Sequence, residues 1–400
     1  MKRRQIPEAV RAAAVLITAL AVGATGCVRM EPPLASLELD AYEAPLPDSS
    51  MKHRAGIVRI GVLNTKMLPF SSAGRRAEVM AERILAGDFA AVALSEVFSE
   101  TGRNRLVELL GESYPHRIEF LGSGELHRLD SGLMLLSRYP LLAIPDTVPD
   151  RTHRVRGSVV SGTEPDFAAG FVRFAEFGDC ARFDCWAAKG VGYVRLDLEA
   201  GPLHLFFTHM QASYGSDDER GERQTAAVRA KQRKEMAAFV TRVAGAELER
   251  GESALLVGDL NVDGSADLTG GIGKRTALIG DEREAMLAQL GRAFPHGLSD
   301  TWREHAPSDD PGLTFPVRSL NVRFDYVLAS LPPAEPGLCV GQIRRAFGLD
   351  MRRAPTAALI DAERQVTDHV GLVVDLLPRS AACPTVASRD SAGSEGVEAR

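Results

Sequence analysis

Residues 254–261 read ALLVGDLN, an uninterrupted apolar run that ends at Asp259 and Asn261. Apolar side chains at consecutive positions predict a strand that is buried on both faces, as strands of layered α/β proteins are. Runs of this kind recur along the 400 residues of the chain. The expected strands are Ile57–Leu63, Phe89–Leu94, Gly132–Leu136, Val191–Leu198, Leu203–Thr208, Ala254–Gly258, Phe324–Ala329 and Val370–Leu376.

Helical stretches alternate with these strands, at Arg75–Leu85, Leu106–Leu110 and Glu219–Ala246. Hydrophobic residues make up 45% of the chain, which is enough for one large core or two ordinary ones. Strands that follow one another in sequence, several of them apolar throughout, favour two mixed sheets packed face to face with helices outside. The sequence contains no repeat or interior linker that divides it, so we expect one α/β domain.

Polar side chains stand at the ends of six of these strands. Each one alone is an ordinary residue for a strand end or a turn. Together they bring carboxylate, amide and imidazole groups to the ends of one set of strands, which indicates a functional site. The residues are Asn64, Glu96, His209, Asp259, Asn261, Asp325, Asp368 and His369.

These groups suit a hard metal ion and a phosphoester. Carboxylate and amide oxygens are the ligands that Mg²⁺ prefers, and Mn²⁺ accepts the same set. Such an ion polarises a phosphoryl oxygen and offsets negative charge as it develops. Two histidines can then act on either side of phosphorus, one near the attacking water and one near the leaving oxygen.

Three motifs resemble signatures of the endonuclease/exonuclease/phosphatase superfamily, and they occur in the order that this superfamily has them. They are GDLN at 258–261, RFDYVL at 323–328 and TDH at 367–369. Asn64 and Glu96 match two further positions near the amino terminus. The resemblance spans residues 57–377 and implies a four-layer αββα sandwich with the site at one edge of the sheets.

Other segments resemble the neutral sphingomyelinase branch of that superfamily. They are NTKMLP at 64–69, SEVF at 95–98, KGVGY at 189–193 and THMQASY at 208–214, and Arg229, Gln232 and Glu235 match a further motif. This resemblance implies a sphingomyelinase or phospholipase C-like phosphodiesterase that uses water to cleave a phospholipid of a membrane. The aromatic membrane hairpin of some secreted sphingomyelinases has no visible counterpart in the sequence.

The resemblance also implies a metal site. Glu96 would be the principal Mg²⁺ ligand, with Asn64 in or beside its coordination shell. Asp368 would lie near the metal or the water. Lys189 could meet a phosphate, but a lysine at the entry of a strand is usually solvated, so we expect it outside the catalytic set.

The remaining positions take catalytic roles by the same resemblance. His369 would accept a proton from water, and Asp325 would orient its imidazole ring. Asp259 and Asn261 would position the water and the phosphoryl oxygens. His209 would steady or protonate the leaving oxygen.

Residues 1–26 are predicted to be a lipoprotein signal peptide. Met1–Arg11 is basic, and Ala12–Ala24 is an apolar run too short to span a bilayer. Small residues then precede Cys27, where a lipid would anchor the exported protein at the cell envelope, in the outer membrane or the periplasm. An ordinary secretory peptide is the alternative.

The organisation of the remainder follows from composition. Residues 27–55 are rich in proline, serine and acidic residues and are expected to be a tether. Residues 56–379 would form the catalytic domain, and residues 380–400 a flexible tail.

The chain has five cysteines, so a lipid on Cys27 would leave an even number in an exported protein. Four cysteines allow three pairings. Cys180 and Cys185 are close enough to close a tight loop, which would leave Cys339 to pair with Cys383. Their spacings resemble no zinc motif.

The net charge of the chain bears on which classes of molecule it can bind. The chain carries 47 Lys and Arg against 53 Asp and Glu, a net charge of −6. This balance disfavours duplex nucleic acid as a partner, because affinity for a duplex depends on neutralising phosphates. A secreted nuclease or phosphomonoesterase on the same fold is the alternative enzyme. An alternative that is not an enzyme is a lipoprotein that only binds its ligand through an inactive site. In either case we expect the protein to be a monomer.

Overall fold

The computed structural model describes residues 56–380 and Cys383, except 70, 72, 123–127, 146–153, 162–163, 167–169, 214–218, 270–279, 281, 318–319, 335–336 and 347–366. The predicted signal peptide, the lipidation site at Cys27, the tether and nearly all of the tail lie outside the described residues. Within the described part of the chain, helices that could span a membrane are absent.

The predicted strands and helices are present, but among the described residues seven strands follow one another between the helices at Glu100–Leu110 and Glu219–Glu249, so strands and helices do not alternate throughout. The strands are β1 Val58–Met67, β2 Ala91–Val97, β3 His116–Gly122, β4 Met134–Ser137, β5 Arg154–Ser161, β6 Glu164–Asp166, β7 Arg173–Glu176, β8 Gly190–Leu196, β9 Leu203–His209, β10 Ser253–Asp259, β11 Ser299–Asp300, β12 Phe315–Val317, β13 Leu320–Val322, β14 Asp325–Ser330, β15 Leu338–Ala346 and β16 Gly371–Pro378. The helices are α1 Ala73–Gly87, α2 Glu100–Leu110, α3 Glu219–Glu249, α4 Ala266–Thr269, α5 Glu282–Gly291 and α6 Thr301–His305.

Two mixed sheets form the centre of the fold. One has eight strands in the order β15-β16-β1-β2-β4-β3-β5-β6, and the other has six in the order β11-β14-β10-β9-β8-β7. The pair β1 and β2 is parallel, as is the pair β9 and β10. Strands β14 and β16 run antiparallel to their neighbours β10 and β1.

The layers explain why the strands are apolar throughout. Leu255 and Val257 point between the sheets, whereas Ala254 and Leu256 of the same strand face the layer that contains α3 and α5. In the other sheet Val62 points between the sheets, whereas the next residue, Leu63, packs in the hydrophobic cluster that includes α1 and α2. The predicted four-layer αββα sandwich is therefore confirmed.

Strand direction gathers the polar residues at one edge. Asp259 at the end of β10 pairs with His209 at the end of β9 and with Asp325 at the start of β14. Asn64 and Glu96 lie towards the carboxyl ends of the parallel pair β1 and β2. Because β16 is antiparallel to β1, the residues that precede β16 reach the same edge.

Both predicted disulfides are confirmed. Cys180 bonds to Cys185 and encloses most of a 3₁₀ helix at Arg182–Trp186, and Cys339 on β15 bonds to Cys383. The first disulfide holds the loop that leads from β7 to β8, at the edge that carries the polar residues.

A buried ion pair joins β1 and β16 away from that edge. Arg59 and Asp375 are direct partners in the strand pair, and Arg59 Nε lies 2.7 Å from Asp375 Oδ1. Burial alone would raise the pKa of Asp375, but the hydrogen bonds from Arg59 and Gln342 and the charge of Arg344 lower it below the usual range. The pair therefore stabilises the fold when the carboxyl group is ionised.

Replacement of Asp375 by Asn should lower the free energy of unfolding by about 3–5 kcal/mol, because Arg59 would remain buried without its counter-charge. The pKa of Asp375 is lowered in the folded state, so the variant should show the full stability difference from the wild type above about pH 5. The difference should become smaller as the pH falls through the ordinary Asp pKa of about 3.9 and below. Urea unfolding across this pH range measures it. Glu78→Gln, which removes an exposed partner of Arg105, is the control and should change stability by less than about 1 kcal/mol. If the two variants lost the same stability, the stabilising role of the Arg59–Asp375 ion pair would be contradicted.

Candidate active site

The carboxylates of Glu96 and Asp259 lie at the centre of the site. Asn64 Nδ2 donates to both of them, to Glu96 Oε1 at 2.9 Å and to Asp259 Oδ2 at 2.9 Å. The Oδ1 atom of Asn64 accepts from the backbone N–H of Lys66 at 3.1 Å. In this orientation the amide nitrogen of Asn64 bridges the two carboxylates.

Backbone strain marks the same place. Among the described residues, five that are not glycine have a positive φ, and three of them are Lys66, Glu96 and Asn261 at 47°, 55° and 53°. Strain of this kind costs about 1–3 kcal/mol per residue and is common at functional sites. Gly258 adopts φ 135°, and a Cβ atom there would lie 1.9 Å from the carbonyl oxygen of Thr208. Only glycine therefore lets β10 approach β9 at this point.

His369 is oriented by Asp325. Its Nδ1 lies 2.8 Å from Asp325 Oδ2, so that Nε2 faces Asp259 Oδ2 at 3.8 Å. Burial would lower the pKa of His369, but the charge and hydrogen bond of Asp325, with the charges of Asp259 and Asp368, raise it to about 10. Burial and the nearby charge of Asp325 raise the pKa of Asp259 above its usual range.

His209 is held by a buried lysine. Lys189 Nζ lies 3.0 Å from His209 Nε2, donates to the carbonyl of Met210 at 3.0 Å, and forms an ion pair with Asp184 at 2.8 Å. The prediction that Lys189 is solvent-exposed is wrong, because it is buried at the start of β8 between these partners. The KGVGY segment was recognisable in the sequence, whereas the partner Asp184 carried no signal.

Burial and nearby positive charge favour the neutral form of the His209 ring. Burial, followed by the charges of Lys189 and His369, lowers the pKa of His209 well below its usual value. An ammonium group has donors only, so Nε2 of the neutral ring accepts from Lys189. The same Nε2 lies 3.8 Å from Glu96 Oε1 and 3.7 Å from Asp259 Oδ2.

Asp368 and Asn261 occupy the periphery of this group. The carboxylate of Asp368 forms an ion pair with Lys66, a partner that the sequence did not indicate. Asn261 donates through Nδ2 to the carbonyl of Met210 at 3.1 Å, and its N–H donates to Asp259 Oδ1 at 2.9 Å. Asn261 thus fixes the Asp259 side chain and the backbone that follows His209.

Two hydroxyl groups that the sequence did not single out as site residues hydrogen-bond to the backbone of segments that form the site. Thr367 Oγ1 donates to the carbonyl of Asn64 at 2.7 Å. Thr314 Oγ1 accepts from the N–H of Asp325 at 3.1 Å, and the neighbouring Phe315 ring packs on His369 with centroids 4.8 Å apart. Thr367 is the first residue of the TDH motif, whereas Thr314 lies in a loop that has no distinguishing pattern in the sequence.

Two overlapping groups of side chains can hold a metal ion in the described part of the chain. One consists of Glu96, His209 and Asp259, and the other of Asp259, Asp325 and His369. Asp259 belongs to both. Carboxylates that lie this close in a buried site repel one another, and a divalent cation would relieve that repulsion. The donors therefore fit Mg²⁺ or Mn²⁺.

Residues 62–369 match the sequence profile of the Endonuclease/Exonuclease/phosphatase family. The chain belongs to this family. Its members are phosphodiesterase and phosphatase enzymes, and the fold described above is that of the family. A comparison with curated proteins found no match.

Solved structures share the fold at low sequence identity. Sphingomyelinase C from Streptomyces griseocarneus is similar with a TM-score of 0.50 and 18% identity, over 80% of this chain and 99% of that one. A beta toxin variant from Staphylococcus aureus with bound magnesium ions gives 0.50 and 16%, over 81% and 99%. A humanized D. rerio TDP2 gives 0.50 and 13%, over 80% and 98%.

Glu96→Gln should weaken Mg²⁺ binding by about 10–100-fold, the range found when groups around a metal site are altered. Asp368→Asn should change the affinity by less than about threefold, because Lys66 already compensates that carboxylate. Calorimetric titration of Mg²⁺ into each folded variant measures both. A larger loss in Asp368→Asn than in Glu96→Gln would show that the metal is held elsewhere.

Proposed function

We propose that the protein is an exported, Mg²⁺-dependent phosphodiesterase of the sphingomyelinase or phospholipase C type. The observation that carries the proposal is the convergence of His209 and His369 on Asp259, with ring nitrogens 3.7 Å and 3.8 Å from the same Oδ2 atom. Two imidazoles on opposite flanks of a carboxylate pair suit a reaction in which water enters on one side of phosphorus and an alkoxide leaves on the other.

The metal would be held by the carboxylates of Glu96 and Asp259, with Asn64 beside them. A bound Mg²⁺ polarises a phosphoryl oxygen and offsets the negative charge of the carboxylates around it. Mn²⁺ has the same ligand preference and is the expected substitute.

His369 serves the water side. Asp325 holds Nδ1, so Nε2 is the atom that accepts a proton from the attacking water. In the protein groups alone the pKa of His369 is about 10, because carboxylates surround it. A divalent cation held by Glu96 and Asp259 would offset part of this negative charge and so lower the pKa of His369.

The leaving side is served by Lys189 together with His209. Because Nε2 of His209 accepts from Lys189, this pair places positive charge beside the site and steadies the leaving oxygen. Of the two roles that the sequence left open for His209, the contact favours stabilisation over direct protonation. Asn261 helps to position this pair, because Asn261 and Lys189 both donate hydrogen bonds to the carbonyl of Met210.

A membrane phospholipid is the proposed substrate. The segments that resemble the neutral sphingomyelinase branch, including those with Asn64, Glu96, Lys189 and His209, converge at the site. A similar structure carries the name sphingomyelinase C, which supports the same substrate class. The net charge of −6 disfavours a polyanionic duplex.

His369→Ala should lower kcat by about 10²–10⁴-fold, because the proton acceptor is lost. His296→Ala, which removes an exposed histidine far along the chain from every site residue, is the control and should keep normal activity. Assays on short-chain sphingomyelin with and without EDTA measure both variants. Wild-type activity that survives exhaustive chelation would contradict the metal requirement.

The runner-up function is a nuclease or phosphomonoesterase, since one fold serves several phosphoesters and a TDP2 structure is among the similar ones. A parallel assay on sphingomyelin, a lysophospholipid, plasmid DNA and inositol phosphates separates these functions. Preference for the two lipids supports the proposal, and preference for DNA or for a phosphomonoester would replace it.

The proposed location is the cell envelope, with residues 1–26 removed and a lipid on Cys27. The tether at 27–55 would then let the monomeric catalytic domain at 56–379 reach a membrane surface, followed by the tail at 380–400. Several acyl chains on one cysteine would hold the protein stably at a bilayer.

Cys27→Ser should release a soluble enzyme with an unchanged rate on monomeric short-chain substrate and a lower rate on vesicles, because surface concentration is lost. Membrane fractionation and mass spectrometry of the amino-terminal peptide test this directly. A Cys27→Ser variant that remains on membranes would refute the anchor and leave the catalytic assignment intact.

A further inference from the structure

One face of α3 holds the backbone that follows His209. Gln232 Oε1 accepts from the N–H of Gln211 at 2.9 Å. Arg229 Nη1 donates to the carbonyl of Gln211 at 3.2 Å and to Ser213 Oγ at 2.9 Å. Both polar groups of the Gln211 backbone are therefore held by side chains of the helix.

The same face holds the start of the disulfide loop. Gln232 Nε2 donates to the carbonyl of Asp179 at 3.0 Å, so this one amide joins two separate segments. Glu235 accepts from the N–H of Gly178 at 2.9 Å. The three motif residues on α3 thus contact the backbone after His209 and the start of the disulfide loop instead of the carboxylates of the site.

Gln211 closes the connection between the two segments. Its buried side chain accepts from the N–H of Ala181 at 2.7 Å and donates to the carbonyl of Ala181 at 3.2 Å. The next N–H, of Ala212, donates to Asp184 Oδ2 at 2.7 Å, and Asp184 Oδ1 lies 2.8 Å from Lys189 Nζ. A continuous set of contacts therefore runs from α3 to the lysine that holds His209.

Neighbouring charges keep the helix side of this set rigid. Arg229 is fully buried and makes two hydrogen bonds to Glu282 on α5, at 2.7 Å and 2.8 Å. Glu282 also accepts from Arg233 at 2.9 Å. Paired in this way, Arg229 presents its remaining nitrogen to the segment after β9 in one direction.

We propose that Gln211, Arg229, Gln232 and Glu235 are positioning residues that set how the Lys189 ammonium meets His209. The inference rests on the proposed function, in which that pair steadies the leaving oxygen. A displacement of about 1 Å at such a group costs about a hundredfold in rate, so contacts remote from phosphorus can control it. Substrates with poor leaving groups depend most on this flank.

The first test needs no substrate. Gln232→Leu removes both hydrogen bonds of the bridging amide. Met236→Ala removes buried apolar packing one turn later on α3 and keeps the hydrogen-bonding side chains of Arg229, Gln232 and Glu235. Histidine-selective ¹⁵N NMR should show a changed Nε2 shift for His209 in Gln232→Leu and none in Met236→Ala, with the resonance assigned through His209→Gln. An unchanged shift in Gln232→Leu, or the same change in both variants, would overturn the proposal.

The second test measures the effect on catalysis. In Gln232→Leu, kcat/KM on short-chain sphingomyelin should fall by about tenfold or more, and on p-nitrophenylphosphorylcholine, which has an activated leaving group, by less than about threefold. Gln232→Glu keeps the acceptor for Gln211 and should recover part of the loss. Met236→Ala should lower the melting temperature without changing the ratio between the two substrates.

A double-mutant cycle shows whether the effect passes through His209. In a His209→Ala background, Gln232→Leu should no longer change the ratio of kcat/KM on short-chain sphingomyelin to kcat/KM on p-nitrophenylphosphorylcholine. If the two substitutions had additive effects on this ratio, the proposal would be overturned. Absence of wild-type activity on both esters would refute the proposed function, and the NMR result would still decide the positioning role.

Discussion

The hydrogen bond from Asn64 to Asp259 joins the ends of the two sheets, and the geometry of the site depends on it. Asn64 belongs to β1 of the eight-stranded sheet and Asp259 to β10 of the six-stranded sheet, and the two side chains meet at 2.9 Å. Through this contact, Glu96 from one sheet comes within 3.8 Å of His209 from the other. Sheet packing therefore sets how far the carboxylate of Glu96 lies from the imidazole of His209.

Burial gives this edge its chemistry and its cost. Asp259 and Asp325 are nearly inaccessible, and a buried carboxylate without full compensation destabilises a fold. The positive φ values of Glu96 and Asn261 add strain at the same place. The sandwich tolerates both because both faces of its strands are packed, and a divalent cation is the partner that such a group of carboxylates suits.

The sequence predicts the central strands, and which polar residues meet at one edge of the sheets, better than it predicts the partners of those residues. Runs such as Ala254–Gly258 are apolar because both faces are buried, whereas the edge strand β15 at Leu338–Ala346 mixes arginines with apolar residues and was not predicted. Lys189 owes its burial to Asp184 in the disulfide loop, and Asp368 meets Lys66 from 302 positions away. Contacts of that kind follow from chain packing and have no local pattern.

Hydrolysis in ¹⁸O-labelled water tests the central claim most directly, because it reports which bond breaks and what attacks. Short-chain sphingomyelin is incubated with the enzyme and Mg²⁺, and both products are analysed by mass spectrometry. Attack of water on phosphorus, with His369 as the proton acceptor and the Lys189–His209 pair at the leaving oxygen, predicts the label in phosphocholine and none in ceramide. Label in ceramide, or no hydrolysis of the phosphodiester, would contradict the account.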